Sequence, residues 1–410
     1  MVTLKHVVLL ALLFCTAAAR AVDSPDGRIH VQVELSAQQT LVYSVSREGR
    51  PVLLPSALGL VLADADFAAG LTMGKPSAIR KISAQYDMAV GKRRHISYRA
   101  NEQVFPVRAR DGKRMDVAFR VSNDGVAFRY LVRGAGRKQF VAESTGFAFD
   151  PAARAWLQPM QVAQTGWMNT NPAYEEHYQR EIAVGTASPS TAYWVFPALF
   201  KSGDVWVALS ESNMDGSFHA SRLQAQSPGG VYRIGLPMAD ERFTGGKLLA
   251  DTTGDLVTPW RIIALGSLAT VMDSTLGTDL AAPAIALDRK AVRPGHASWS
   301  WALLKDDATV YDVQKQFIDY AADMHWDYTL VDADWDRKIG YDKLRAGAVR
   351  RGEAGRRAGL VQLVRRLEQD RVFAQGRFAH GAAAPQGIAP GRRSASRASR
   401  STSSCATACP

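Results

Sequence analysis

The sequence predicts a mainly β protein, a large antiparallel β-sandwich that gives way to the opening βαβ unit of an α/β barrel. Three observations carry this. Between Ile29 and about residue 285, apolar residues alternate with polar ones in run after run, the period of strands with one buried face. The runs follow one another without intervening helical patterns, as expected of antiparallel sheets joined by turns. From Ser298 the texture changes to strand, helix, strand, and a parallel pair needs such a crossover.

The individual elements follow from the same rules. Ile29, Val31, Val33 and Leu35 make one half-buried strand, and Leu41, Tyr43 and Val45 the next. Val117, Phe119 and Val121 alternate up to Asn123-Asp124-Gly125, and Val126, Phe128, Tyr130 and Val132 resume the pattern. An Asp-Gly pair between two such runs predicts a hairpin whose turn residues take positive φ. Further strands are expected at Tyr193–Phe196, Val205–Leu209 and Trp260–Ala264, and a turn at Asp215-Gly216. Ser298–Leu304 reads as the first parallel strand and Asp327–Asp332 as the second. Between them Thr309–Met324 reads as a helix, with Val310, Val313, Phe317, Tyr320 and Met324 on its apolar face and Thr309 or Asp307 as N-cap.

The two ends differ from this body. Lys5 and His6 precede the apolar run Val7–Phe14, and Ala19-Arg20-Ala21 supplies the small-x-small form that signal peptidase accepts. A membrane span needs about 20 apolar residues, far more than this run has, so a signal peptide cleaved after Ala21 is expected. The destination is then the periplasm or the outside of the cell, with no membrane attachment afterwards. Past residue 346, Ala, Arg, Gly and Ser dominate, and the stretch Gly391–Ser404 is low in complexity. Leu360, Leu363, Val364 and Leu367 could form a short amphipathic helix with nothing to pack on. Arginine without lysine, beside Ala and Gly, matches GC-rich DNA read out of frame. The expected organisation is signal peptide 1–21, sandwich 22–285, barrel start 286–346 and a tail over 347–410 without folded structure.

That tail also explains the charge. The chain carries a formal +11, but from Arg350 onward twelve arginines face only Glu353, Glu368 and Asp370. The segment has no Trp or Tyr, so it lacks the aromatic interleaving of a nucleic-acid surface, and no nucleic-acid partner is expected. The three cysteines, Cys15, Cys405 and Cys409, lie outside the body. This leaves the body without disulfides, thiolate metal sites or a cysteine nucleophile.

Several segments, taken in order, resemble glycoside hydrolase family 97. They are Ser24-Pro-Asp-Gly27, Leu54-Pro-Ser-Ala-Leu-Gly-Leu60, Asn123-Asp-Gly-Val-Ala-Phe-Arg-Tyr130, Glu143-Ser-Thr145 and Thr258-Pro-Trp-Arg261. Ser298-Trp-Ser-Trp301, Phe317-Ile-Asp-Tyr-Ala321 and Tyr328-Thr-Leu-Val-Asp-Ala-Asp-Trp335 continue the match. The resemblance implies a β-supersandwich followed here by the first βαβ unit of an incomplete (β/α)8 barrel. It also implies an exo-acting α-glycosidase with an oligosaccharide substrate, either an inverting α-glucosidase or a retaining α-galactosidase, and a calcium ion near the substrate. Residue 325 is His where the family pattern leads one to expect Gly, the residue that enters the left-handed conformation freely at a helix end.

Glycoside hydrolysis needs two carboxyl groups flanking the scissile bond, placed in a barrel enzyme at the carboxy-terminal ends of strands. With two barrel strands expected, no acid, base or nucleophile is nominated. Asp332 and Asp334 end the second strand beside Trp335; carboxylates accept hydrogen bonds from sugar hydroxyls, and an aromatic face covers the apolar side of the ring. These three and Trp301 are the substrate-binding candidates, while Trp299 and Trp301 alternate about Ser300 and should share one strand face. In Asn171-Pro-Ala-Tyr-Glu-Glu-His-Tyr178 the resemblance marks Glu175 as a calcium ligand, one among the roughly six to eight oxygens calcium wants. Arg129 and Arg261 read as structural partners of buried acids. The expected activity is hydrolysis of α-glucosidic bonds, or less favoured α-galactosidic bonds, by the intact barrel, with this chain inactive; the alternative is a non-catalytic carbohydrate-binding protein.

Overall fold

A computed structural model describes residues 20–88, 90–160, 176–190, 193–241, 247–284, 295–332, 335–344 and 359–363, the last five by backbone alone. The chain forms two compact units, one of Met1–Val162 with Asn171–Ala282 and one of Ala163–Thr170 with Pro283–Pro410.

The first unit is built from antiparallel sheets of seven, eleven and four strands. Ile29–Leu35 and Leu41–Arg47 pair with Val31 opposite Val45 and Val33 opposite Tyr43. All four side chains are buried, so the period-two reading fixes both the strands and the face they bury. The core between the sheets is aromatic. Tyr43 lies 5.2 Å from Phe128, Phe119 lies 5.3 Å from Phe128, and Phe149 stacks on Phe200 at 4.0 Å. The Tyr43 hydroxyl donates to the Gly146 carbonyl at 3.0 Å, which lets a polar tip enter that core without an unmade hydrogen bond.

The predicted hairpin forms, but for a different reason. Ser122 pairs with Gly125 and Phe119 with Phe128, so Asn123 and Asp124 make the turn and Gly125 already belongs to the strand. None of the three takes a positive φ. Gly125 is required because its strand also pairs with Trp260–Gly266. A Cβ there would lie 2.5 Å from the Ile263 carbonyl oxygen and 2.9 Å from the Ala264 Cα, both backbone atoms that cannot rotate away. Gly125→Ala is therefore expected to cost about 1–3 kcal/mol by overpacking. Thermal unfolding followed by circular dichroism measures it, and an unchanged midpoint would show that the strands separate freely.

Val205–Ser212 and Trp260–Gly266 form the strands expected of them, and Asp215-Gly216 is a turn, with Asp215 accepting from the Ser217 amide. Tyr193–Phe196 is not a strand. Tyr193 sits at φ 81°, which breaks the extended run and leaves only Trp194 bridged to Pro159 and Leu223. Two short helices, Leu268–Asp273 and Leu276–Asp279, follow the last long strand, where the sequence reading places none. The first described strand, Arg20–Asp23, spans the expected cleavage point after Ala21, and cutting there would leave Val22 and Asp23 of it.

In the second unit Ala297–Trp299 and Tyr328–Val331 pair in parallel, with Tyr311–Asp323 as the crossover helix. The helix is shorter than expected and Val310 occupies its N-cap, without a side-chain cap from Thr309 or Asp307. Its buried face is also turned by one residue: Gln314, Ile318, Ala321 and Ala322 are buried, while Val310, Tyr320 and Met324 are exposed. Small alanines allow close approach to the sheet, so the bulkier stripe lies outward. His325 takes φ 58°, the left-handed conformation expected at this helix end, in a residue whose Cβ disfavours it. The first parallel strand stops at Trp299, and Trp301–Leu304 is a short helix instead of the strand's continuation. A third parallel strand, Gly359–Leu363, pairs with Tyr328–Val331. Part of the segment read as unfolded tail, with Leu360 and Leu363 read as helical, is thus a strand, because an exposed parallel edge offers backbone partners to any extended run.

Candidate active-site fragment

The substrate-binding candidates sit at the carboxy-terminal ends of the parallel strands, where barrel enzymes carry their chemistry. The Asp332 carboxylate follows Tyr328–Val331 directly and is 9% exposed. It accepts a hydrogen bond at 2.8 Å from the Trp299 indole N–H, which comes from the neighbouring strand end. The indole is thereby fixed by a charge-assisted bond, while 41% of Trp299 remains open to solvent. Trp299 stacks on Trp301, with centroids 5.2 Å apart and planes inclined by 17°.

Trp301 itself is less available. Its N–H donates to Asp306 at 2.9 Å, and the Lys305 ammonium lies 4.2 Å over its ring. With Trp299 against it as well, its ring contacts are taken. Trp301 is thus support for Trp299, and it stands on the short helix, not on the strand face expected of it. The sugar-facing role read for Trp335 is also corrected. That residue is 2% exposed, packs with Val331, Ile339, Leu344 and Tyr311, and meets Tyr341 edge-on at 4.7 Å. A ring enclosed in a small core cannot cover a sugar. Asp334 and Glu175 lie outside the described residues.

Trp299 is the residue that the sequence reading passed over in favour of Trp301. The signal was present in the strand pairing: Trp299 stands opposite Leu330, two residues before Asp332, so an indole at the strand end can reach the next strand's first loop residue. Behind this surface the Ser298 hydroxyl bonds to the Phe317 carbonyl and to Thr329 at 3.0 and 3.1 Å. The Gln314 amide donates to Ser300 at 2.8 Å and to the Ala308 carbonyl at 3.0 Å. These bonds tie the helix to the strand ends and hold the Trp299 backbone in place.

For calcium the described residues offer no ready cage. Among them no three His, Cys, Asp or Glu side chains come together as a metal-binding group.

The fold and this strand-end surface define a glycoside hydrolase architecture. The sequence profile for the amino-terminal domain of glycosyl-hydrolase 97 matches residues 22–283, and the chain belongs to that family. A protein of Streptomyces bingchenggensis named probable retaining α-galactosidase is 36% identical over 343 residues, covering 81% of this chain and 50% of its own length. A retaining α-galactosidase of Bacteroides thetaiotaomicron is 21% identical, with 83% and 54% covered. A crystal structure of a β-arabinopyranosidase superposes with a TM-score of 0.74 at 30% identity, covering 83% of this chain and 55% of that one. The chain spans about half the length of the curated relatives it matches.

Proposed function

We propose that this chain is the sandwich domain and the opening strands of an exo-acting glycoside hydrolase that removes an α-linked terminal sugar from oligosaccharides. The half-exposed Trp299 indole, held by Asp332 at the ends of adjacent parallel strands, carries this reading. Such a ring offers the apolar platform a pyranose needs.

The sequence reading puts α-glucosides first; the relatives' names favour α-galactosides. The β-linked L-arabinopyranose ring has the stereochemistry of α-linked D-galactopyranose without its hydroxymethyl group. One site geometry would therefore serve both sugars, which argues for the galacto-configured substrate here. Hydrolysis requires a pair of carboxyl groups across the bond, and Asp332 is committed to Trp299, so the chain taken alone binds sugar without cleaving it. Export by the amino-terminal signal peptide, and calcium bound through Glu175, belong to the same proposal.

Titration of the 410-residue chain with galactose, glucose and L-arabinose, followed by tryptophan fluorescence, tests this. A saturable change is expected with galactose and L-arabinose, lost in Trp299→Ala and weakened about tenfold in Asp332→Asn, about 1.4 kcal/mol. Tighter binding of glucose would overturn the galacto preference. Release of nitrophenol from 4-nitrophenyl α-D-galactopyranoside or α-D-glucopyranoside by the purified chain would overturn the inactivity. Sugar binding without turnover also agrees with a non-catalytic carbohydrate-binding role, the reading that the ordered indole pair itself favours; restoring activity by adding the remaining barrel strands separates the two.

A further inference from the structure

A cavity lies in the first unit, among the strand ends of the sandwich. It encloses about 830 Å³ between the ends of His95–Arg108, Arg114–Ser122 and Gly125–Val132 and the turn that leads into Arg137–Glu143. Its floor is apolar: Leu62, Val107, Leu131 and Val132 are each less than one-tenth exposed, and Met73 and Pro106 complete it. Its rim is basic, with Arg108, Lys113, Arg114, Arg133, Arg137 and Lys138 against the acids Asp64 and Asp116.

Three of these cations are answered. Lys113 pairs with Asp64 at 2.9 Å, Arg137 with Asp251 at 2.7 Å, and Arg133 reaches Asp255 at 3.6 Å and Asp116 at 3.8 Å. Among the described residues the other three form no ion pair with a carboxylate, although Asp64 feels the charge of Lys138. Lys138 is 7% exposed, and its ammonium donates only to the Gly134 and Gly254 carbonyls. Arg108 donates to the Gly112 carbonyl at 2.7 Å. Arg114 stands directly opposite Arg108 across the antiparallel ladder. Like charges in that position repel, and both border the cavity, so the pair is a place where an anion would relieve a cost already present in the fold.

We propose that this cavity binds an organic anion with an apolar body, its acidic head between Arg108 and Arg114 and its hydrocarbon part along Leu131 and Pro106, which share the arginines' face of the sheet. Among the described residues no aromatic ring lines the cavity, which disfavours a sugar, since pyranose faces are met by such rings. The volume suits a small amphiphile.

Calorimetric titration of the 410-residue chain with decanoate below its micelle concentration tests the proposal, with decanol, inorganic phosphate and trigalacturonate as comparisons. Saturable decanoate binding is expected, at least tenfold tighter than any of the three. Arg114→Glu is expected to abolish it while raising the melting temperature of the free chain, because a Glu opposite Arg108 turns repulsion into attraction; this variant folds by its own prediction. Equal binding of decanol would show that the basic rim is irrelevant, and equal binding of phosphate that the floor is. Tighter binding of trigalacturonate would assign the cavity to acidic glycans instead. Any of these, an absence of decanoate binding, or unchanged binding in Arg114→Glu overturns the proposal.

Discussion

Replacing Arg261 with methionine is expected to lower the stability of the sandwich unit by about 3–5 kcal/mol, the cost of breaking a buried ion pair from one side. The Arg261 side chain is completely buried. Its guanidinium forks onto Glu143 at 3.0 and 2.6 Å, meets the Ser221 hydroxyl at 2.9 Å and pairs with Glu211. Burial alone works against the charge, but Glu143 and Glu211 outweigh it and hold the guanidinium above its ordinary range. Methionine would leave the fully buried Glu143 carboxylate without a cation. Urea unfolding followed by tryptophan fluorescence measures the loss; a change under about 1 kcal/mol would class the pair with exposed salt bridges. Changing Arg261→Met and Glu143→Leu together should recover most of the loss, since apolar groups can replace a buried pair at little net cost. Glu211 would keep its bonds to the amide and hydroxyl of Ser221 at 2.9 and 2.7 Å.

The same residues show what was legible in the sequence. Four of the segments that carry the family resemblance, Leu54–Leu60, Asn123–Tyr130, Glu143–Thr145 and Thr258–Arg261, converge on one buried polar node. Tyr130 from the Asn123–Tyr130 segment receives the Gly59 amide at 3.1 Å and bonds Thr145 at 2.6 Å. Thr258 accepts the Tyr130 amide at 3.1 Å, and Arg261 takes Glu143 from the neighbouring segment. The Arg261–Glu143 pair joins strands of different sheets, and Tyr130 ties its strand to the connections at Gly59, Thr145 and Thr258, so the residue types are fixed at several places at once and the segments read clearly. Alternation of period two was legible for a related reason, since strands such as Ile29–Leu35 and Leu41–Arg47 bury one face. The strand-end surface was less so. Trp299 and Trp301 are two residues apart, and only the end of the strand at Trp299 shows that they do not share a pleat. Trp335 beside two aspartates has the composition of a sugar platform, yet its burial depends on Ile339 and Leu344, whose packing no local pattern announces. The helix face was misjudged because alanines at 321 and 322 count little in an apolar pattern while packing closest.

A second large effect should appear as a pH dependence of stability centred on His219. The imidazole stacks on Phe218 at 4.2 Å and lies 4.6 Å from Phe140. Its Nδ1 accepts the Ala250 amide at 3.1 Å, which places the proton of the neutral ring on Nε2. Burial first, and then the charge of Arg261, push its pKa from 6.5 down to about 4. The unfolded chain therefore takes up this proton at higher pH than the folded one. The contribution is complete above about pH 6.5 and is lost as the pH falls toward 4, amounting to about 3 kcal/mol over that window. His219→Asn offers an acceptor to Ala250 but does not titrate, so the difference between wild type and variant across pH 4–7 isolates the histidine from the carboxylates. A difference that stays flat with pH would show that the ring is solvated and titrates normally. Arg261→Met should move the lower end of the window upward, because it removes the smaller of the two causes and leaves burial in place. The size of that movement measures how far the charge of the buried node reaches into the aromatic core beside it.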